Sequence, residues 1–391
     1  MINLISPARI SAYQILTRVA EGAYASDSLQ QETRGLDGRD AGLASQIVFG
    51  CLRFQAQLDY LIGRYSGRQL AQMEPPVVIA LRMGVYQLRY LDRIPAHAAV
   101  NETVELVKRR SKRAGGFVNA VLRKVNRKPV RWPDLATELC CPDWMLQRWH
   151  AQFGSEAAAA IARTALEEPQ RYVRIPPGAE TPQDGQLECT EVDGCFLLLS
   201  QTVTGLRQQD IGSQAVIPLL KLQPGHTYLD LCAAPGNKTV QALEVSLALA
   251  VACDISETRV RQIPPVCPRV VLDGGRSLPF RGTFDRIFVD APCSGTGTLG
   301  RNPEIKWRVK ETDFLRFQEK QVRILSAALE RLKPGGRLVY ATCSVEREEN
   351  EDVVEQILRK NASVERRDEL RRLPGRDAGD GFYAAALERC R

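Results

Sequence analysis

The chain has 391 residues, of which 44% are hydrophobic and 25% are charged, and its formal net charge is +7. Because this length exceeds one ordinary hydrophobic core, we expect two or three folded domains. No run of about eighteen uncharged apolar residues occurs, and the N-terminus lacks the apolar core of a signal peptide, which excludes the usual membrane-spanning and exported classes and predicts a soluble, cytoplasmic protein.

The positive charge is concentrated in the first third of the chain. Residues 1–128 hold 19 Lys and Arg against 10 Asp and Glu, whereas the remaining residues hold 34 against 36. The excess peaks in residues 108–128, KRRSKRAGGFVNAVLRKVNRK, which contain nine basic residues and no acidic residue. This distribution predicts a domain that binds a polyanion such as a nucleic acid, joined to a near-neutral domain. Any one of these basic residues could equally belong to a solvated helix face.

Helical spacing of apolar residues is the main pattern of residues 1–128. Ser6-Pro7 is typical of a helix start, and Pro75-Pro76 marks another. Apolar positions such as Leu58, Leu61 and Ile62 recur at the helical period. We therefore expect a compact bundle of roughly five or more helices.

Residues 129–213 lack the helical spacing of the first 128 residues and contain prolines and short strand-like runs. Pro129, Pro133 and Pro142 punctuate a stretch that we interpret as a connector with a short aromatic helix. The runs RYVRIPP and LECTEVDGCFLLLS favour short strands, and QQDIGSQ favours a turn. We expect a linker and a small α+β module here, with the tryptophans acting as packing residues.

From residue 214 onward strands and helices alternate, which is typical of a doubly wound α/β sheet. Strands are predicted in TYLDLCA, LALAVACD, RVVLD, FDRIFVDAP and GRLVYATCS, and a final strand in GDGFYAAALER is expected at the sheet edge. The helix DFLRFQEKQVRILSAALERL is predicted to end at LKPGG, and EENEDVVEQILRK is predicted to form another helix.

Acidic residues and cysteines follow the carboxyl ends of these strands: Asp230, Asp254, Asp273, Asp290 with Cys293, and Cys343. Ligands of open α/β sheets bind outside those ends. A single strand-end carboxylate often only caps the next helix, but the coincidence over several strands predicts one shared site.

The loop after the first of these strands, APGNKT, matches neither the dinucleotide pattern G-x-G-x-x-G nor the triphosphate pattern G-x-x-x-x-G-K-[ST]. Asp254 is placed to accept hydrogen bonds from ribose hydroxyls, and Asp273 could meet an adenine edge. A site for ribose and adenine without a phosphate-binding loop favours S-adenosylmethionine over NAD or ATP.

The eleven cysteines include no C-x-x-C pair, and the three histidines are scattered. Neither a zinc site nor a disulfide framework is therefore expected, and most of the cysteines should be small buried hydrophobes. Cys293 and Cys343 differ because each follows a strand end.

Carbon 5 of a pyrimidine becomes nucleophilic only when a thiolate adds to carbon 6 of the ring. That chemistry requires a cysteine, an acid at the edge of the base and a route for the carbon-5 proton. Asp290, Cys293 and Cys343 supply those groups. The alternative is that both cysteines are inert core thiols.

Three motifs carry a family resemblance: LDLCAAPGNKT, FDRIFVDAPCSGTGTLGRNPEIKWR and LVYATCSVEREEN. Together they resemble the RNA cytosine-5 methyltransferases of the Nop2/Sun class, and the basic helical N-terminal part resembles NusB. The fusion of the two, over essentially the whole chain, resembles the bacterial 16S ribosomal RNA cytosine-5 methyltransferases of RsmB type. The resemblance implies an all-α NusB-like RNA-binding domain over 1–128, the small α+β connector module over 129–213, and an α/β Rossmann-like methyltransferase domain over 214–391.

The resemblance also implies roles for individual residues. Cys343 of the Thr-Cys-Ser motif would be the nucleophile, Cys293 of the Pro-Cys motif would assist breakdown of the covalent adduct, and Asp290 would stabilise the base edge. The implied cofactor is S-adenosyl-L-methionine, bound by Cys232, Ala233, Ala234, Pro235, Gly236, Asn237, Lys238, Asp254, Arg259, Asp273 and Asp290. The expected RNA contacts are Lys108, Arg109, Arg110, Lys112, Arg113, Arg301 and Lys306.

The expected partner is 16S ribosomal RNA of the small subunit or its precursor, and we expect a monomer with no metal and no membrane association. The chain departs from the family pattern at Asn237, which replaces the second glycine of APGGKT, in the short segment 255–272, and at Pro176, which replaces an Asn of the RNA-contacting module. None of these touches Cys343, Cys293 or Asp290, so an active enzyme is expected. Two alternatives remain: the same reaction on transfer RNA, and an RNA-binding ribosome-assembly factor whose methyltransferase half is inert.

Overall fold

The structure is a computed structural model that describes residues 5–108, 112–180, 186–199 and 205–390. It divides into two compact units. The first holds the described residues up to Glu167 together with Leu299–Arg308, and the second holds the rest. The predicted domain limits at 128 and 213 stay a prediction, since this division follows compactness alone.

The first unit is helical. In chain order its helices are α1 (Pro7–Ala20), α2 (Ala25–Glu32), α3 (Gly38–Arg53), α4 (Gln55–Ser66), α5 (Pro75–Tyr90), α6 (Ala96–Lys108), α7 (Lys112–Leu122), α8 (Leu135–Glu138), α9 (Asp143–Phe153) and α10 (Ser155–Thr164). The Asp37 carboxylate caps α3 by accepting hydrogen bonds from the backbone N–H groups of Arg39 and Asp40. Helix α1 starts at Pro7 and α5 at Pro75, as the proline signals predict.

One hydrophobic core holds this bundle together. Ile15 of α1, Ile47 of α3 and Leu58 of α4 lie fully buried in it. The buried Arg9 side chain is satisfied by Gln87 Oε1 at 2.7 Å and by a Glu102 carboxylate oxygen at 3.1 Å, as a charge inside a core requires. The predicted helical bundle is thus confirmed.

The second unit begins with a small antiparallel sheet. Its strands are β1 (Tyr172–Arg174), β2 (Leu187–Cys189), β3 (Cys195–Leu198) and β4 (Arg207–Gln208), in the spatial order β2-β3-β1-β4. The predicted turn in QQDIGSQ is instead the start of α11 (Ile211–Ala215), because Asp210 accepts a hydrogen bond from the Gly212 N–H and caps a helix.

A larger mixed sheet follows. Its strands are β5 (Thr227–Leu231), β6 (Leu249–Asp254), β7 (Arg269–Val271), β8 (Phe284–Asp290), β9 (Leu332–Thr342), β10 (Val364–Arg372) and β11 (Phe382–Arg389). The spatial order is β10-β11-β9-β8-β5-β6-β7, with β5 to β9 parallel and β10 and β11 antiparallel. The helices between the strands are α12 (Asn237–Ala242), α13 (Glu257–Val260), α15 (Glu311–Glu330) and α16 (Glu351–Lys360), while α14 (Ile305–Arg308) falls in the first unit. The Rossmann-like expectation is confirmed.

Two predictions about this sheet are wrong. The strand β11 does not lie at the edge, because β10 covers its outer side and Tyr383–Leu387 are fully buried. The sequence of the edge strand β10, VERRDELRR, is mostly charged. Charged side chains commonly protect an exposed sheet edge from pairing with other chains. The glycine signal LKPGG does not end α15, which stops at Glu330, but lies in the first part of β9.

Within the described ranges, no helix combines the length and the apolar character that crossing a bilayer would require.

Candidate active site

The two cysteines that follow strand ends meet at one edge of the large sheet. Cys293 lies just after β8 and Cys343 just after β9, and these parallel neighbours end side by side. Their sulfur atoms are 3.4 Å apart. A disulfide would bring the sulfurs to about 2.05 Å, so both are free thiols, like the other nine cysteines. The structure therefore brings together the pair that the strand ends predict.

A glycine permits this approach of the two loops. The Gly297 N–H donates to the Cys343 carbonyl at 2.9 Å, and the Gly297 carbonyl accepts from the Gly381 N–H at 2.8 Å. A Cβ atom at position 297 would lie 2.4 Å from the Gly381 carbonyl oxygen and 2.8 Å from that of Cys343. Since both neighbours are backbone atoms, only glycine fits here.

The environment of Cys293 favours its neutral form. Its hydrogen bond with the Cys343 thiol, followed by burial, raises the pKa of Cys293 well above the usual range. A thiol held protonated is poorly suited to attack but can donate a proton. Burial, reinforced by Asp254, likewise raises the pKa of Cys232 to about 12, so that thiol stays protonated.

Asp290 and Lys238 form an ion pair beside these thiols. Lys238 Nζ donates to Asp290 Oδ2 at 2.8 Å, and the Asp290 side chain keeps 27% of its surface exposed. Burial opposes the charge on Lys238, but the facing Asp290 carboxylate outweighs it and holds the Lys238 pKa above its ordinary value. The carboxylate is thus anchored on one side and accessible on the other.

The predicted cofactor residues surround the loop after β5. Asp254 is buried at the end of β6, where its oxygens accept hydrogen bonds from the Ala234 N–H at 3.2 Å and from Arg259 Nε at 2.9 Å. Arg259 also donates to the Ala234 carbonyl at 3.1 Å. These contacts fix the loop against the end of β6.

Gly236 and Asn237 start helix α12. Gly236 has a φ of +99°, and a Cβ there would lie 2.7 Å from Pro264 Cδ, so this glycine is required on two grounds. The Asn237 side chain donates to the Gln208 carbonyl at 3.3 Å. The short segment 255–272 holds the four-residue helix α13.

Asp273 lies past the end of β7 and is half-buried. Its Oδ1 accepts from the Gly275 N–H at 2.9 Å, and Arg276 pairs with its other oxygen at 3.3 Å. The role proposed for Asp273 at an adenine edge stays a prediction.

Two further buried carboxyl groups lie near this edge: Asp230, which the strand-end pattern already includes, and Glu349, which it misses. Asp230 Oδ2 accepts a hydrogen bond from the Thr239 hydroxyl at 2.6 Å. Glu349, in the short turn before α16, contacts the serines that follow both cysteines. The run EREENED is typical of a solvated helix start, so no sequence signal marked Glu349 as buried.

The predicted RNA contacts divide into distinct groups. Lys108, Lys112 and Arg113 are exposed, and Lys108 pairs with Glu105 at 2.6 Å. Arg109 and Arg110 lie outside the described residues, and Arg301 is half-buried.

Lys306 requires a correction. Only 1% of its surface is exposed, and its Nζ donates to the Arg53 carbonyl at 3.0 Å. Burial lowers the pKa of Lys306 to about 8. An ammonium group held in this way has no free surface for a phosphate, so the prediction of Lys306 as an RNA contact is wrong.

Hydrogen bonds join the segment around Lys306 to other residues of the first unit. Trp307 Nε1 donates to the Leu52 carbonyl at 2.7 Å, and a Glu304 oxygen accepts from the Ala25 N–H at 2.9 Å. Both partners belong, with Leu299–Arg308, to the first compact unit. Trp307 is therefore a packing residue, as predicted for the tryptophans.

Among the described residues no group of three or more His, Cys, Asp or Glu side chains is arranged to hold a metal ion.

Comparison with protein families gives two matches. The model described as "16S rRNA methyltransferase RsmB/F" matches residues 217–388, and the NusB family model matches residues 6–127. The two matched regions correspond to the large sheet with its helices and to helices α1 to α7.

Individual proteins match over most of the chain. The ribosomal RNA small subunit methyltransferase B of Erwinia tasmaniensis is 32% identical over 97% of this chain and 97% of its own. The probable ribosomal RNA small subunit methyltransferase B of Bacillus subtilis is 32% identical over 84% of this chain and 82% of its own. Among solved structures, that of PH0851 has the same fold, with a TM-score of 0.81, 21% identity and 99% of both chains covered.

Proposed function

Because this chain belongs to the ribosomal RNA small subunit methyltransferase B family, we propose that it methylates carbon 5 of a cytosine in 16S ribosomal RNA, with S-adenosylmethionine as methyl donor and through a covalent bond between Cys343 and carbon 6. The observation that carries this proposal is the 3.4 Å distance between the sulfurs of Cys293 and Cys343. Two free thiols at one ligand-binding edge support a reaction that makes and then breaks a carbon–sulfur bond.

In the proposed reaction the Cys343 thiolate donates an electron pair to carbon 6 of the base, and the ring electrons move to make carbon 5 nucleophilic. S-adenosylmethionine supplies the electrophilic methyl group that carbon 5 then takes. Loss of the carbon-5 proton returns an electron pair to the ring, and the bond between sulfur and carbon 6 breaks. The Cys343 thiolate leaves unchanged.

Cys293 is proposed to serve the breakdown of the adduct. Burial, which persists in the adduct, favours the protonated Cys293 thiol, and this suits a group that positions the water that accepts the carbon-5 proton. Asp290, anchored by Lys238, is proposed to hold the N3 and N4 edge of the cytosine. Since the base must meet all three groups, the target cytosine has to leave its stack.

The residues around the β5 loop fit an S-adenosylmethionine site. Gly236 lets the loop pack closely against Ile263 and Pro264, because a Cβ would lie 2.7 Å from Pro264 Cδ. The buried Asp254, held by Arg259, is proposed to accept hydrogen bonds from the ribose hydroxyls. Residues Cys232 to Lys238 with Asp273 and Asp290 complete the proposed cofactor shell.

A covalent trap tests this proposal. The protein is incubated with S-adenosylmethionine and a 16S RNA fragment containing 5-fluorocytosine, and the products are separated on a denaturing gel. Fluorine cannot leave carbon 5 as a proton would, so the wild-type adduct should persist. Cys343→Ala should form no adduct, and Cys293→Ala should accumulate adduct even on ordinary RNA.

The outcomes separate the alternatives. An adduct in Cys343→Ala would falsify the assignment of the nucleophile, and rapid clean turnover by Cys293→Ala would remove Cys293 from the mechanism. Trapping on transfer RNA but not on the 16S fragment would favour the transfer RNA enzyme. A folded protein that shows no binding of S-adenosylmethionine by calorimetry would be the inert assembly factor.

A further inference from the structure

Glu349 is a buried carboxyl group between the loops that carry the two cysteines. Its Oε2 accepts hydrogen bonds from the Ser294 N–H at 2.8 Å and from Gln321 Nε2 at 3.1 Å. Its Oε1 accepts from the Ser344 hydroxyl at 2.7 Å and from the Ser294 hydroxyl. Ser294 directly follows Cys293, and Ser344 directly follows Cys343. One carboxyl group therefore joins the neighbours of both thiols.

The hydroxyl groups around this carboxyl group also contact one another. The Ser294 and Ser344 hydroxyl oxygens are 3.2 Å apart, and Thr296 Oγ1 lies 3.2 Å from that of Ser344. Thr296 Oγ1 in turn accepts from the Val345 N–H at 3.2 Å. All of these groups are buried, where hydrogen bonds compete little with water.

The backbone of Glu349 is attached to strand β9. The Tyr340 hydroxyl donates to the Glu349 carbonyl at 2.5 Å, and Asn350 Nδ2 donates to the Ser344 carbonyl at 3.0 Å. Burial raises the pKa of Glu349, while the hydrogen bonds from Ser294 and Ser344 act in the opposite direction. Glu349 is thus held at both its backbone carbonyl and its side chain.

We propose that Glu349 is a positioning residue that holds the Pro-Cys-Ser and Thr-Cys-Ser loops at the separation that lets both thiols act on one base. The distance of 3.4 Å between the sulfurs is the quantity that it maintains. The chemical roles of the two thiols rest on the proposed function. The inference that Glu349 maintains the distance between them rests on its own contacts.

The consequence for the reaction concerns the second thiol. If the loops separate, Cys343 can still reach carbon 6 from β9, but Cys293 no longer meets the same adduct. Loss of Glu349 should therefore slow release more than attack, and leave RNA binding nearly intact. Slower release lowers kcat and KM together, leaves kcat/KM nearly unchanged, and gives a longer-lived adduct.

Glu349→Ala and Glu349→Gln form the matched pair for the test. Alanine removes every hydrogen bond of the carboxyl group, so kcat should fall about tenfold or more, as expected when several buried hydrogen bonds are lost. Glutamine keeps one carbonyl oxygen for the Ser294 N–H, and its NH₂ group can donate to the serine hydroxyls, which can also accept. Glu349→Gln should therefore stay within about threefold of wild type.

A readout that needs neither RNA nor cofactor measures the thiol separation directly. Diamide takes two electrons and two protons from a pair of thiols and leaves a disulfide and the reduced hydrazine. The rate at which the Cys293–Cys343 disulfide forms, followed by peptide mapping, should be high in wild type and in Glu349→Gln. It should fall about tenfold in Glu349→Ala, because each loop then moves alone.

Two further variants keep the test decisive. Ser344→Ala removes one hydrogen bond of the Glu349 carboxyl group, together with the contacts of that hydroxyl to Ser294 and Thr296. It should slow disulfide formation by about two- to tenfold, so it serves if Glu349→Ala does not fold. Glu348→Gln, the half-buried neighbour, should leave every rate unchanged. Thermal melting and cofactor calorimetry verify the folded state of each variant.

Wild-type rates of disulfide formation in folded Glu349→Ala and in Ser344→Ala would overturn the proposal, and so would a Glu349→Gln as impaired as the alanine variant. A wild-type protein that is not trapped on 5-fluorocytosine RNA would refute the proposed function alone. The diamide comparison would still decide the role of Glu349.

Discussion

At the scale of single residues, Gly297 sets how closely the two cysteine loops approach. Gly297→Ala would place a Cβ against two backbone carbonyl oxygens, those of Gly381 and Cys343. We expect a loss of about 1–3 kcal/mol in the free energy of unfolding, because overpacked sites relax at the expense of their neighbours. We also expect kcat to fall at least about tenfold, since even small shifts of reacting groups are costly. Urea denaturation and single-turnover kinetics measure the two effects.

Gly282→Ala is the matched control for this prediction. A Cβ at Gly282 meets no atom within 4 Å, so stability should change by less than about 0.5 kcal/mol, as for most surface substitutions. Equal effects of the two substitutions would show that the contact at Gly297 does not limit the approach of the loops.

Asp230 is one residue that should make stability depend on pH. Burial raises the pKa of Asp230 to about 7, against an ordinary value of 3.8. Between those pH values the folded protein binds a proton that the unfolded chain has lost, so this group's contribution to stability falls as pH rises from about 4 to about 7. Above that range the contribution is constant.

Asp230→Asn removes the titration while keeping the shape of the side chain. The melting temperature of the variant minus that of wild type should therefore increase by a few degrees between pH 5 and pH 8. Melting curves at several pH values follow this difference, and a difference independent of pH would mean that Asp230 titrates at its ordinary pKa.

At the scale of elements, helix α7 and the segment Leu299–Arg308 carry basic residues with opposite surroundings. Lys112 and Arg113 of α7 are exposed, whereas Lys306 is buried against the Arg53 carbonyl. The double variant Lys112→Ala, Arg113→Ala should weaken RNA binding and reduce the slope of log affinity against log salt by about 1.5, because each lost phosphate contact removes about 0.7–0.9. Filter binding over a range of salt concentrations measures the slope.

Lys306→Met supplies the comparison within the same experiment. Because its ammonium group already donates inside the protein, the salt slope should equal that of wild type. A salt slope that is reduced in Lys306→Met but not in the α7 variant would show that RNA binds near Lys306 and not at α7.

The strands β10 and β11 show how element predictions fail. The run FYAAALER was correctly predicted as a strand but wrongly placed at the sheet edge. The true edge strand, VERRDELRR, has no apolar alternation, because an edge strand gains hydrogen bonds on one side and faces solvent on much of its surface. A pattern of side chains predicts burial, whereas strand order depends on pairings between distant segments.

At the scale of the whole molecule, the two compact units do not follow the order of the sequence. Leu299–Arg308 follows the Pro-Cys motif directly, yet it belongs to the compact helical unit with α1 to α10. Trp307 and Glu304 bond to Leu52 and Ala25, which are about 250 or more residues away in the chain. Contacts over such separations leave no periodic signature in a sequence, so the sequence predicts Lys306 at the surface although the structure buries it.

The sequence by itself determined the helical and α/β regions and the positions of most strands in the chain. It also determined that Asp290, Cys293 and Cys343 lie at the same edge of the sheet. Those predictions hold because periodicity reports burial, and because parallel strands place their carboxyl ends at one edge. Only the tertiary structure decided the 3.4 Å between the thiols, the burial of Glu349 and Lys306, and the inner position of β11. Each of these features depends on how segments that are distant in the sequence pack together. Whether a charged side chain faces solvent or a buried partner is decided by that packing and not by the residues next to it in the sequence.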